Sequence, residues 1–321
     1  MTTVAHESEP TVGAERGARL FAFVKQALFL LLCIGISILS LYPFIWLISA
    51  SLKPQQDVFD NHLIPRDWQW NYTGDPSSIP GDEHLFALPD LPMATWVWNS
   101  VWISLLAAAA VALSSAVVAF AFAYFRFPGR NFLFALILAT MMLPGAVTMI
   151  PVYLIWNEIS QLTGEFGRLS FLPDIGVNTQ YPLWVPNLFG SAFYIFLLRQ
   201  FFFGIPRDLF EAARIDGDSY FSMFRRIALP LSIPALMVVF IFELQAQWFD
   251  LLKPLIYLRD PALFTMPRGM KSILDQFGQA GEARWEVVLA GAVLTTVPMI
   301  IAFFLCQRYF VEGVATQGRK G

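Results

Sequence analysis

The chain has 321 residues, of which 56% are hydrophobic and only 14% charged, and its formal net charge is −3. Soluble domains carry about a quarter of their residues as charges, so the shortage points to a bilayer. The near-neutral balance argues against a nucleic-acid partner, and Cys33 and Cys306, each inside an apolar run, argue against a disulfide framework or a zinc site.

Residues 1–26 read as a cytoplasmic N-terminal tail, polar and disordered over Met1 to Gly17. The apolar run that follows is too long for a signal-peptide core and reads as a retained first transmembrane helix over 27–50, with Lys25 held on the inner side. Residues 51–97 form a long extracytoplasmic loop rich in Pro, Gly, Asp and Trp. A five-helix core then fills 98–306, with spans at 99–124, 132–155, 184–203, 232–256 and 286–306, and 307–321 is a cytoplasmic C-terminal tail. Each span reaches the ~20 residues needed to cross the hydrocarbon. The expected fold is an all-α membrane protein of six transmembrane helices with both termini cytoplasmic. Basic residues set that orientation, chiefly in the short Arg126–Arg130 loop and the Arg-rich 204–231 loop.

The second span contains the run AAAAVALSSAVVAFA, whose small side chains let helix backbones approach closely in lipid. That predicts a buried, tightly packed helix. The third span carries Met142-Leu-Pro-Gly145 and Pro151, so it bends, either beside a pathway or to satisfy packing. The connections 157–183 and 257–285 resemble the first external loop in character. Together these loops either cap the protein for an extracytoplasmic partner or are solvated linkers.

The loop at 204–231 carries the densest pattern in the chain. Pro206 suits a helix N-terminus, and Asp208 and Glu211 place negative charge near the positive end of the dipole. Glu211 and Arg214, three apart, can pair on one face. Gly217 ends the first helix as a left-handed cap, and Asp218 or Ser219 starts the next. Phe221, Phe224, Ile227 and Ala228 then recur at helical spacing as an apolar stripe. The result is two short helices at an angle, either a knob shaped for a partner's cleft or a hairpin resting on headgroups.

Glu211-Ala212-Ala213, three residues, Gly217, nine residues, then Ile227-x-Leu229-Pro230 is similar to the EAA signature of binding-protein-dependent ABC importer permeases. Phe193 to Phe202, Arg214-Ile-Asp216-Gly217, Pro43 with Ser51-Leu-Lys-Pro54, Met142 to Gly145 and Gln307 to Gly313 resemble the carbohydrate-uptake branch and its second maltose-type permease subunit. The resemblance runs over roughly residues 25 to 321. It implies the type I ABC importer permease fold and ATPase coupling by Glu211, Ala212, Ala213, Arg214, Asp216, Gly217, Ile227, Leu229 and Pro230. It further implies an ABC ATPase dimer, a second permease subunit, an extracytoplasmic solute-binding protein and a bacterial or archaeal cytoplasmic membrane. ATP and Mg would be bound by the partner ATPase and no cofactor by this chain. Trp248-Phe249 departs from a Trp-Asn pair frequent in the family.

No Walker A loop is present, since Gly269-Met-Lys271-Ser272 lacks the adjacent Gly-Lys and the upstream glycine, so the chain is expected to be no enzyme. His6, His62 and His84 are scattered and form no metal pattern. Polar groups inside spans are costly and mark function or pairing. Glu243, Gln247, Trp248 and Asp250 of the fifth span, with Asn187 and Tyr194 of the fourth, are therefore candidates for a translocation pathway or for structural pairing.

Overall fold

The structure, a computed structural model, describes residues 12–54, 57–60, 62–66, 92–163, 169, 171, 173–278 and 285–317. His6, His84 and most of the first external loop lie outside the described residues. Among the described residues every regular element is a helix. Helix α1 runs Val12–Ser51, well into the expected disordered tail, because Ala14, Glu15, Ala18 and Arg19 are good helix formers with no proline among them. α2 runs Met93–Tyr124, α3 Arg130–Thr140 and α4 Gly145–Thr163. α5 (Tyr181–Trp184) passes through a 3₁₀ turn, Val185–Phe189, into α6 (Ala192–Phe203). The 204–231 loop folds as α7 (Arg207–Ile215), α8 (Tyr220–Met223), a π-helical turn Phe224–Ala228 and α9 (Leu229–Leu231). α10 (Ile233–Trp248), α11 (Leu252–Tyr257), α12 (Met266–Gly278) and α13 (Trp285–Gln317) complete the chain.

Among the described residues, four helical stretches are long and apolar enough to cross a bilayer: Phe23–Ser51, Met93–Tyr124, Tyr181–Phe203 and Val287–Arg308. Two bent pairs bring the number to as many as six. The third expected span is α3 and α4 meeting at 97°. Pro144 drives the residue before it out of helical geometry and has no N–H to continue the ladder. The second bent pair is Tyr220–Leu231 and Ile233–Trp248 at 77°, of which only the second half lies in the expected fifth span, 232–256, the first being the end of the 204–231 loop. Pro230 and Pro234 flank that break, and Ser232 at its centre donates its hydroxyl to the Ala228 carbonyl at 2.7 Å. The fifth span also stops short of its expected end at 256. α10 finishes at Trp248, and the Asp250 carboxylate accepts the backbone N–H groups of Leu252 (3.0 Å) and Lys253 (3.3 Å) to start α11.

α2 is the axis of the bundle. Half of its most apolar window is buried, against none of that of α1, which lies at the periphery along α13. Ala107, Ala108, Ala116 and Ala119 are fully covered, and α6 and α10 pack on this small-residue face. This is the tight helix that the alanine run predicts.

Two apolar clusters cap the ends of the bundle. One joins α2 near Phe120 to α6, α7 and the π turn, with Phe210, Met223 and Phe224 inside it. The other joins Trp96 and Ile103 of α2 to the segment 257–266, α12 and the start of α13. There the Trp96 indole donates to the Pro261 carbonyl (2.8 Å), and the Asn99 amide to those of Ala262 and Phe264 (3.0 Å each). The Ser100 hydroxyl accepts the Met266 N–H at 2.7 Å. Asn178, in left-handed conformation at φ 62°, accepts from the Arg259 and Asp260 N–H groups at 2.9 and 3.0 Å. The connection expected as loop over 257–285 is thus a stitched platform carrying α12, whose Met266 and Ile273 face inward. Beyond α1, Lys53 is buried and its ammonium donates to Asp60 and to the His62 carbonyl (2.5 Å), which holds the Asp60 carboxyl below its ordinary range.

Gly269 of α12 lies against the face of the Trp96 ring, where a β-carbon would overlap ring atoms, whereas a β-carbon at Gly291 would meet the end of the Met270 side chain. The Trp96 ring is pinned by its hydrogen bond and the thioether is flexible. Gly269→Ala is therefore expected to destabilise by about 1–3 kcal/mol and Gly291→Ala by clearly less. Thermal unfolding of the detergent-solubilised variants measures this, and equal midpoints would contradict the packing described.

Candidate functional site

Two constellations stand out, one at the loop 204–231 and one within the spans. α7 in the loop is strongly two-faced. Phe210 and Ala213, three apart, are buried, with the Phe210 ring 5.9 Å from Phe120 and 5.2 Å from Tyr124. Glu211, Ala212, Arg214, Asp216 and Gly217 are exposed, and Ile215 is 86% exposed. Ala213 therefore serves the root of the helix, where a small residue allows close seating. Ala212 is the residue that leaves the outer face smooth.

The end of α7 is a Schellman closure. The Asp218 N–H donates to the Ala213 carbonyl at 2.9 Å and the Gly217 N–H to that of Arg214 at 3.2 Å, with Gly217 at φ 84°. Any β-carbon at Gly217 meets the left-handed penalty, about 1–2 kcal/mol. Ser219 caps α8 by accepting the Ser222 N–H (3.2 Å), and Asp218 accepts the Ser222 hydroxyl (3.0 Å) and pairs with Arg226 (3.7 Å). The expected Glu211–Arg214 pair does not form. Both line a cavity of about 450 Å³ with Arg126, Arg207, Tyr124 and Tyr220. The apolar stripe also differs from expectation. Phe224 and Ala228 are buried and Ile227 is half-buried, but Phe221 is 73% exposed. Met223, fully buried, and Phe224 take the inward positions of this stretch, which leaves Phe221 on the outer side of α8. Ile227 and Leu229 pack against the first core cluster and Pro230 is exposed, so the second half of the motif is the attachment of the loop.

The second constellation is a polar cluster deep in the spans. The Glu243 carboxylate of α10 accepts from the Asn187 amide at 2.5 Å and from the Gln247 amide at 2.6 Å. Tyr194 of α6, buried, lies beside the same carboxylate. Asn187 sits in the 3₁₀ turn, and its amide also reaches the Ala107 carbonyl at 3.4 Å. The turn breaks the fourth span, and its freed backbone is satisfied by α2. The Ser114 hydroxyl donates to the Asn187 carbonyl (3.0 Å), and Ser115 accepts the Ser191 N–H (3.1 Å). An irregular stretch inside a membrane is stable only where neighbours supply such partners.

The structure thus brings together Glu243, Gln247, Asn187 and Tyr194, which the sequence names on two spans. It leaves Trp248 and Asp250 apart. Trp248 is buried and donates its indole N–H to the Thr295 carbonyl of α13 at 2.9 Å, so its ring faces a helix. Asp250 caps α11 and approaches Lys253 at 3.4 Å. Phe210, Ile215, Arg126 and Arg207 were missed by sequence reading. The i, i+3 spacing of Phe210 and Ala213 was the signal that could have revealed the buried face of α7.

Residues 115–316 match the family of binding-protein-dependent transport system inner membrane components, and the chain belongs to that family. It is 32% identical over 295 residues to the arabinooligosaccharides transport system permease protein AraQ of Halalkalibacterium halodurans, covering 91% of this chain and 96% of that protein. It is 29% identical to the maltose/maltodextrin transport system permease protein MalG of Escherichia coli K12, covering 95% and 97%. A chain of a bacterial ABC transporter involved in the import of the acidic polysaccharide alginate superposes with a TM-score of 0.69 at 21% identity, covering 92% of this chain and 98% of that one. The fold is all-helical among the described residues and permease-like, with four candidate spans or as many as six.

Removing the Glu243 carboxylate would take the acceptor from the half-buried Gln247 amide and leave the buried Asn187 amide only its long contact to the Ala107 carbonyl, at about 1–3 kcal/mol in all. Glu243→Ala is expected to lower the unfolding midpoint of the membrane-extracted protein more than Glu243→Gln, which keeps an acceptor oxygen. Identical midpoints for wild type and both variants would show that the carboxylate ties nothing together.

Proposed function

We propose that this chain is one of two permease subunits of an ATP-driven importer for a carbohydrate, an oligosaccharide of maltodextrin or arabino-oligosaccharide type. The observation that carries the reading is α7. A short helix rooted by Phe210 and Ala213 and closed at Gly217 presents Glu211, Ala212, Arg214 and Ile215 outward. A small, rigid, charged knob suits a cleft in an ATPase subunit. ATP and Mg are bound by that partner, two copies of which close on ATP and push through α7. For work to be done, the ATPase must hold the knob with different contacts in its two states. Because Phe210 packs on Phe120 and Tyr124, displacement of α7 reaches α2 directly.

Six spans with both termini in the cytoplasm place α7 on the ATPase side, which requires each bent pair to act as one span. A second permease subunit covers the apolar surface that the bend before α4 and α4 itself leave open, including Met142 at 83% exposed. An extracytoplasmic binding protein delivers the sugar to the platform formed by 257–266 and α12. Glu243, Gln247 and Asn187 border the path, where amide and carboxylate groups can exchange hydrogen bonds with sugar hydroxyls. The sugar is supported by the names of the relatives. A permease of the same architecture for a non-sugar solute is the alternative, and a secondary transporter is a weaker one.

The test is a reconstituted complex with its ATPase, second permease and binding protein. ATP hydrolysis should rise with binding protein loaded with an oligosaccharide. Ala212→Trp should cut that stimulation tenfold or more, a loss of about 1.4 kcal/mol in coupling, while the complex still assembles. Stimulation by a binding protein carrying only a non-sugar solute favours the alternative. Transport in liposomes without any ATPase would overturn the importer reading.

A further inference from the structure

The start of α3 packs on the end of α6, and each contributes an arginine to that junction. Arg199 of α6 lies between two aromatic rings, its guanidinium 3.9 Å from the Phe134 centroid and 4.5 Å from that of Phe203. Its Nε is buried and has no hydrogen-bond partner. Arg130, at the first turn of α3, is four residues and one helical turn before Phe134, the ring on which Arg199 stacks, so the two guanidiniums share one side of α3. The hydrogen bond of Arg130 is a long one, 3.3 Å to the Phe125 carbonyl. A concave surface of about 480 Å³ opens beside it, lined by Arg126, Arg130 and Asn131.

Nothing on these elements neutralises the pair. No Asp or Glu occurs in 91–157 or 175–207, which contain α2, α3 and α5 to α6. Asp208 and Glu211, the first acids after α6, are exposed on α7. Two half-desolvated guanidiniums side by side are unfavourable unless an anion joins them. Next to them α3 presents Phe132, Leu133 and Leu136 at 72%, 43% and 54% exposure. The site therefore combines forked donors at the end of a span with an apolar wall running into the membrane. That is the pattern of a phosphodiester carrying acyl chains.

We propose that this junction binds an anionic phospholipid, its phosphate held by Arg130 and Arg199 and its chains lying along α3. The stacking of Arg199 between Phe134 and Phe203 fixes the plane of the fork, so the site is built before the lipid arrives. The lipid ties the end of α6, from which α7 departs, to α3. This reading requires only that the chain lies in a bilayer, and it stands or falls independently of the sugar.

The assembled transporter, purified in detergent with equimolar phosphatidylglycerol and phosphatidylcholine, is to be examined by native mass spectrometry. Wild type should retain phosphatidylglycerol in preference to phosphatidylcholine, and Arg199→Gln and Arg130→Gln should each lower that retention about fivefold. If Arg199→Gln fails to assemble, Arg130→Gln decides, because that side chain is half-exposed and its loss leaves the Phe134 packing in place. Equal retention of both lipids, or unchanged retention in the assembled variants, overturns the site. Displacement of the lipid by inorganic phosphate alone would make it a free-anion site. Cross-linking of Arg199 to a carboxylate of the second permease would make it a subunit contact. Either result overturns the lipid assignment.

Discussion

Ala107, Ala108, Val111, Ala112, Ser115, Ala116 and Ala119 let α6 and α10 lie against α2 at close range, and the other functional features take their positions from that contact. In lipid there is little hydrophobic drive between helices, so dense packing of small residues and buried hydrogen bonds must supply the attraction. The alanines permit the approach, and Ser114 and Ser115 then reach the broken turn before α6. A larger residue on this face would separate α6 from α10 and pull Asn187 away from Glu243.

The same axis connects the two constellations. At one end of α2, Phe120 and Tyr124 receive Phe210 of α7. Near its middle, the Ala107 carbonyl meets Asn187, which holds Glu243. At the other end, Trp96, Asn99 and Ser100 hold the 257–266 platform. A displacement at the root of α7 therefore has a continuous packed route to both the polar cluster and the far platform. The route is one of contact, and its use in transport is part of the proposal.

Much of this was legible in the sequence, and the exceptions have physical causes. The loop pattern was readable because caps, prolines and Gly217 are local signals, and each acts where its spacing places it, with Ser219 as the cap of α8. The burial of α2 was readable because a run of alanines has no other use in lipid. The sharp bend at Pro144 was visible as a break but not as an angle near 97°, which depends on what each half packs against, and the 77° turn at Ser232 falls where the loop was expected to give way to the fifth span. Phe221 was misplaced because Met223, two residues on, takes the inward position instead, and apolar spacing alone cannot choose between two apolar neighbours. For Trp248 the sequence leaves a pathway and structural pairing open, and the choice is made by the Thr295 carbonyl on a distant helix, which takes its N–H and is tertiary information. The burial of Lys53 against Asp60 is tertiary in the same way.

The account depends most on α7 as the point where an ATPase is engaged. Single-cysteine variants on its two faces, cross-linked to a cysteine in the ATPase cleft of the assembled complex, test this directly. Cysteines at Ala212 and Ile215 should cross-link, with a yield that changes when ATP is bound, while cysteines at Phe132 and Ile150, exposed on α3 and α4, should not. Efficient cross-linking from α3 or α4 with none from α7, or a yield at Ile215 indifferent to ATP, would contradict the account.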